Sequence, residues 1–336
     1  MWHKDKLNEY IIFPVCISLM IILILKPENI SSGIYDGIMI CFNILIPSLF
    51  PFTVLSVFII NLGILEKFNK RPVLFSCAIF FTSLIGGYPI GAKIIETANK
   101  NKVLNNHDAD TLLYFCINGG PAFIITAIGK MILNLENIGL YLFSAHFLAA
   151  ATLFIFNIKK VQKIKISANT KNQKALSTKL VESVATASFS MLNICSYVIL
   201  FSGAVKSINS NLIIGFLEVS NGVLRNNNLY VISFILGFSG FCIILQIISI
   251  GKEFISSVFK LVFYRILHGC FSVLYLKLIL IIFPIKLETI TNVLAFNFKY
   301  VTQNTFSSFI VIIFVIVFLY SLTSKKYCGK IFKDIW

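Results

Sequence analysis

Residues 86–95 read GGYPIGAKII, directly after the apolar run PVLFSCAIFFTSLI. Three glycines, a proline, a tyrosine and a lysine thus stand at what would be membrane depth. Glycine and proline interrupt helices, and a lysine ammonium is costly in hydrocarbon. Irregular backbone inside a bilayer is tolerated where it is buried in protein or lines a cavity. The segment therefore reads as the tip and second arm of a re-entrant hairpin, residues 73–99, rather than as a plain crossing helix.

The rest of the chain supports a membrane setting. Of 336 residues, 57% are hydrophobic and 13% are charged, against roughly a quarter charged in soluble domains. The mean hydropathy is +0.86. The fold class expected is an all-α polytopic membrane protein, with about seven to eight transmembrane helices plus two Gly-broken re-entrant hairpins in an inverted repeat. Runs long enough to cross, at about 20 apolar residues each, are 37–60, 111–133, 138–156, 180–205, 258–283 and 305–323. The run 11–25 reads as an uncleaved first span, since no small-residue cleavage site follows it. A second interrupted stretch, 229–257, is broken by GFSG at 237–240.

The formal net charge is +15. The lysines fall between apolar runs and no aromatic-basic motif accompanies them, so the charge reads as topological and no nucleic-acid partner is expected. The linker 157–179 holds seven lysines and no acid, which places it in the cytoplasm by the positive-inside rule. With Lys4 and Lys6 also inside, an even number of crossings must precede it. That holds if 73–99 enters and leaves on one side. The chain then forms one membrane domain, 1–336, with a first half 11–133, the linker 157–179, a second half 138–283 and a last span 305–323. Gly87 lies 150 residues before Gly237, and Asn118-Gly119 lies 150 before His268-Gly269. Broken helices in inverted halves that meet near the midplane are a transporter signature. On this topology the tail SKKYCGKIFKDIW falls outside in spite of its lysines.

Several residues suit a small anionic ligand. Gly86, Gly87 and Gly91 permit close backbone approach. A helix restarting after Pro89 aims free N–H groups at the break, a site that favours a carboxylate, and Lys93 adds a full charge. FCINGGPAFII, 115–125, repeats the theme with Asn118, Gly119, Gly120 and Pro121. GFSGFCIILQ places Ser239 and Gln246 at membrane depth. Arg265 and His268 share one helical face; the arginine suits a carboxylate, and the histidine a proton relay or a packed polar role. The eight cysteines are isolated, without CxxC or Cys/His metal spacing. No catalytic residue, metal or cofactor is expected, and without a nucleophile–base pair no enzyme. Besides the ligand, the partners expected are membrane lipids, with a homo-oligomer left open.

The boxes ILIPSLFPF, GGYPIGAK, INGGPAF and GFSGFCIILQ, in this order, resemble the YlbJ sporulation integral membrane proteins. That family includes SpoVV and carries a nucleoside-recognition, or Gate, domain. The resemblance covers roughly residues 30–285, and GYPxGAK is its most specific part. It implies a role in endospore formation, in the mother-cell-derived outer forespore membrane, moving dipicolinate. In that reading Lys93 and Arg265 balance the carboxylates, the 86–92 backbone donates N–H groups, Asn118 and Gln246 orient the substrate, and Tyr88 stacks on the pyridine ring. A nucleoside or other metabolite is the alternative substrate. From another class, the chain could be a sporulation scaffold using 157–179 as a docking surface.

Overall fold

The computed structural model describes residues 27–63, 68, 71–133, 136–167, 175–206, 208 and 210–284. The spans expected at 11–25 and 305–323, the C-terminal tail and part of the lysine-rich linker lie outside them. Every regular element among the described residues is helical.

Helix α1, Pro27–Ile40, runs through a π-wound segment π1, Cys41–Leu45, into α2, Ile46–Asn61. Pro47 and Pro51 lack the N–H that an α-helix needs, and the winding adjusts just before them. The Ser48 hydroxyl supplies a local donor to the Ile44 carbonyl at 2.5 Å. Helix α3, Pro72–Gly86, ends at Gly87, and α4, Tyr88–Lys100, starts immediately after it. Gly87 has φ +90°, a conformation that favours glycine, so the break is encoded in that residue.

Helix α5, Asn106–Leu113, is capped by the Asn105 side chain, which accepts the Asp108 N–H at 2.8 Å. A non-helical stretch then leads to the π-wound helix π2, Ala122–Ile132. The run 111–133, expected as a single crossing, is thus two pieces. Gly120 explains why: a Cβ there would lie 3.1 Å from the Ile85 carbonyl oxygen and 3.3 Å from the Cα of Gly87. This backbone touches the α3–α4 break itself, and Pro121 then starts a new helix.

Helix α6, Glu136–Phe156, is followed by the short turn α7, Ile158–Val161. The beginning of the linker, expected as loop, is pinned. Lys165 N–H donates to Asp108 Oδ2 at 3.0 Å and Ser167 N–H to the Val103 carbonyl at 3.0 Å. Helix α8, Leu176–Val205, precedes two short helices that no sequence pattern announced, α9, Asn211–Leu217, and α10, Val219–Arg225. They pack closely at Gly215 and Gly222. Helix α11, Leu229–Phe238, breaks at Ser239, whose φ is +75°, and α12, Gly240–Gly251, continues. Helix α13, Val258–Ile282, closes the described fold.

Among the described residues, five stretches are long and apolar enough to cross a membrane: Glu28–Asn61, Asn137–Phe156, Leu176–Val205, Leu229–Gly251 and Val258–Ile282. Leu229–Gly251 qualifies by length and composition although Ser239 breaks it. The surface agrees. Leu55, Ile155, Phe156, Leu200, Phe259 and Ile281 are all exposed, an outward apolar face suited to lipid, whereas Arg265, His268, His146 and Gln246 are buried. The chain is an integral membrane protein with a cluster of polar side chains buried in its interior.

The halves of the sequence interleave. Helix α8 packs along α1 and α2, while α13 packs against α6 and α11. Helix α12 packs against α4. The helix breaks are thereby brought into the middle of the bundle.

Candidate functional site

The breaks meet through side chains that reach from one to the other. Tyr88, the first residue of α4, donates its hydroxyl to the Leu236 carbonyl of α11 at 2.7 Å. Arg265 on α13 sends one guanidinium nitrogen to the Ile117 carbonyl at 2.6 Å and the other to the Gly237 carbonyl. One arginine therefore holds the broken stretch 114–120 and the α11–α12 break together. The backbones approach to match. A Cβ on Gly237 would lie 2.6 Å from the Cα of Gly269 on α13, and Gly87 faces Gly120 in the same manner.

Two histidines complete this cluster, and their tautomers follow from their partners. A guanidinium can only donate, so His268 Nδ1, 2.9 Å from Arg265, must accept. His268 Nε2 then carries the proton and donates to the His146 carbonyl at 3.1 Å. His146 Nε2 accepts the Gly119 N–H at 2.9 Å, which puts its own proton on Nδ1, an atom with no hydrogen-bond partner among the described residues. The two rings stack with centroids 4.3 Å apart. His146 escaped the sequence reading because YLFSAHFLAA offers one polar atom set in an otherwise apolar run.

Beside the cluster lies a cavity. It is lined by Gly86, Gly87, Tyr88 and Pro89 from the α3–α4 break, Gly120 and Phe123 near the start of π2, and Thr53 from α2. Glu218, Val219 and Ser220 line it from α10 and its cap, and Ile243 and Gln246 from α12. The space open to the centre of a water molecule is about 40 Å³, room for about three waters at 10–15 Å³ each. A space of that size does not admit an aromatic ring.

The residues singled out from sequence divide in two. Gly86, Gly87, Tyr88, Pro89 and Gln246 line the cavity. Gln246 is buried; its Oε1 has no partner among the described residues, and its Nε2 is 3.6 Å from Cys242 Sγ. The others stand off the wall. Lys93, expected to balance a substrate carboxylate, is paired with Glu96 at 2.6 Å and partly exposed. Helix geometry explains this, since Lys93 and Glu96 are three apart on one face. Arg265, expected to grip a carboxylate, is committed to backbone carbonyls of the breaks. Asn118 donates to the Phe115 carbonyl at 2.9 Å, with its Oδ1 lacking a partner among the described residues. Gly91 and Gly119 are contact points, where a Cβ would meet the Cys116 carbonyl oxygen and the Tyr88 hydroxyl. Ser239 forms the α11–α12 break.

Glu218 was missed. It caps α10, accepting the Ser220 N–H at 2.9 Å on Oε1, and the Asn221 N–H at 2.6 Å and Asn221 Nδ2 at 2.8 Å on Oε2. Its signal was available: between residues 211 and 251 it is the lone acid, set between two apolar runs and followed by Val-Ser-Asn-Gly.

Among the described residues, these features define an all-helical polytopic membrane protein with broken helices around a largely apolar interior cavity. The chain is 22% identical to the sporulation integral membrane protein YlbJ of Bacillus subtilis (strain 168) over 342 aligned residues, covering 82% of this chain and 84% of that protein. That similarity bears out the family resemblance read from the motifs. No family model and no solved structure matches the chain.

Proposed function

We propose that the chain is a membrane transporter acting in endospore formation, and that it moves a small aromatic dicarboxylate, dipicolinate being the one the family resemblance implies. The observation that carries this reading is the meeting of two helix breaks, at Gly87 and Ser239, beside a cavity in the interior of a lipid-facing bundle. Helices broken at depth leave backbone N–H groups for a ligand, and α4 starts on the cavity wall. The N-terminal end of a helix favours an anion. Tyr88 offers a ring face and Gln246 an amide that can present either its donor or its acceptor end. On this reading the carboxylates are balanced by backbone dipoles and polar groups, with Arg265 supporting them from behind. The small volume requires the breaks to part for entry, as alternating access demands.

A second reading has its own observation. Gln246 and Glu218 both line the cavity, and Gln246 Oε1 has no partner among the described residues, which suits a ligand rich in donors such as a nucleoside. Counterflow of labelled dipicolinate and of labelled uridine, in proteoliposomes, separates the two. Dipicolinate exchange that excess uridine does not inhibit supports the first. Uridine exchange alone overturns it in favour of the second. Exchange of neither, by protein that remains monodisperse, overturns both and favours a scaffold.

A further inference from the structure

Glu218 is the acidic side chain on the cavity wall, and among the described residues no cation pairs with it. It is 2% exposed. Its three donors, Ser220 N–H, Asn221 N–H and Asn221 Nδ2, are uncharged. No lysine, arginine or histidine lines the cavity. The buried guanidinium of Arg265 is taken up by Ile117, Gly237 and His268. The titratable groups that face Glu218 from the elements around it are Cys41 on π1 (which in turn contacts Cys195 on α8), Cys242 on α12 and, across the cavity, Tyr88 on α4. Arg225, in the last turn of its own helix, is the charged group on α10.

Such a carboxylate is compatible with a neutral occupant or with a cation. It conflicts with a dianion, because two like charges sharing a low-dielectric space repel strongly. The conflict disappears if Glu218 carries a proton. Its O–H then becomes a donor on a wall without a charged donor side chain.

We propose that Glu218 is the proton-binding residue that couples dicarboxylate movement to a proton gradient. The carboxylate takes one proton from the side on which substrate enters. It donates that O–H to a substrate carboxylate while the cavity is closed. It returns the proton to water when substrate leaves on the opposite side. Each cycle moves one proton with one substrate, Glu218 begins and ends ionised, and no bond of the substrate is broken. Glu218 also ties α10 to α8: Asn221, which it anchors, donates to Ser202 of α8 at 2.8 Å. This inference rests on the dicarboxylate reading above.

The test is uptake of labelled dipicolinate into proteoliposomes of the full chain, with the membrane potential clamped by potassium and valinomycin. An inside-alkaline gradient should drive accumulation above the external concentration. The variant Glu218→Gln, which cannot take up and release a proton at this position, should lose the gradient-driven accumulation. A second measurement uses the unaltered protein in detergent: dipicolinate binding followed by calorimetry in two buffers of different ionisation enthalpy, with about one proton taken up per substrate expected. That measurement decides the matter if the variant fails to fold. Counterflow without gradient-driven accumulation and without proton uptake overturns the coupling and leaves the transporter reading standing. Accumulation retained by Glu218→Gln overturns the assignment to this residue. Absence of dipicolinate counterflow at every pH overturns the substrate reading, and the coupling with it.

Discussion

Gly91→Ala is a one-methyl perturbation whose outcome the geometry dictates. The new Cβ would stand 1.8 Å from the Cys116 carbonyl oxygen, 2.8 Å from the Cβ of Ser83 and 3.0 Å from the Cys116 carbonyl carbon. Ordinary contact begins at 3.4 Å, so the backbone at Cys116 must retreat by about 1.6 Å. It has little freedom to do so. The next carbonyl, Ile117, is held by Arg265, and the Gly119 N–H is held by His146. Overpacking of a fixed core costs about 1–3 kcal/mol, and this overlap with backbone belongs at the upper end. Replacing glycine by alanine inside a helix returns about 1 kcal/mol. The expected net loss is about 2 kcal/mol, or roughly 3 °C in the melting midpoint for a chain of this size. Gly203→Ala is the control: its nearest contacts are 3.0 Å to the side-chain Cγ1 of Ile34 and 3.6 Å to the Ile30 carbonyl oxygen, so its midpoint should stay near that of the parent. Thermal unfolding in detergent, followed by the surviving monodisperse fraction, compares the two. Equal midpoints for Gly91→Ala and the parent would refute the reasoning, because the α4 backbone could then not lie against Cys116.

Two further perturbations probe the ties between the breaks. Tyr88→Phe removes the donor to the Leu236 carbonyl, worth about 0.5–1.5 kcal/mol, and should shift the bundle toward the parted form by about fivefold. Maleimide labelling of a cysteine placed at Thr53, on the cavity wall, should rise accordingly, and unchanged labelling would count against the tie. Arg265→Lys keeps the charge but cannot span the carbonyls of Ile117 and Gly237 with one planar fork. It should lose at least the ~1–3 kcal/mol of one unsatisfied buried carbonyl, read as a lowered midpoint in the same detergent assay.

Much of this organisation was legible in the sequence, for definite reasons. The break at Gly87 was readable because glycine and proline act locally: a residue at φ +90° needs no tertiary help to end a helix. Membrane embedding was readable from apolar run length, as in Asn137–Phe156 and Val258–Ile282. What sequence could not supply was contact. That Gly120 lies against Gly87 is a long-range fact, and it splits 111–133 into two helices where hydropathy alone reads one. Lys93 looked like a ligand because it is a cation near a break, yet Glu96 three residues on neutralises it. Arg265 looked like a carboxylate grip, but the breaks themselves leave carbonyls that need donors, and the arginine answers those first. Glu218 was hidden because α9 and α10 are too short to show a period, although a lone acid between apolar runs was a signal in plain view.

The central claim is that substrate is held at the cavity between the breaks rather than at the exposed end of α4. Dipicolinate counterflow measured side by side for the parent chain, Gln246→Ala and Lys93→Ala tests it most directly. Gln246 lines the cavity with an unpartnered amide oxygen, whereas Lys93 is off the wall in a partly exposed pair with Glu96, a kind of pair worth at most about 1 kcal/mol. The account expects Gln246→Ala to lose exchange, in protein that still runs as a single species, and Lys93→Ala to retain it. Exchange kept by Gln246→Ala and lost in Lys93→Ala would contradict it, and would move the site to the far side of α4.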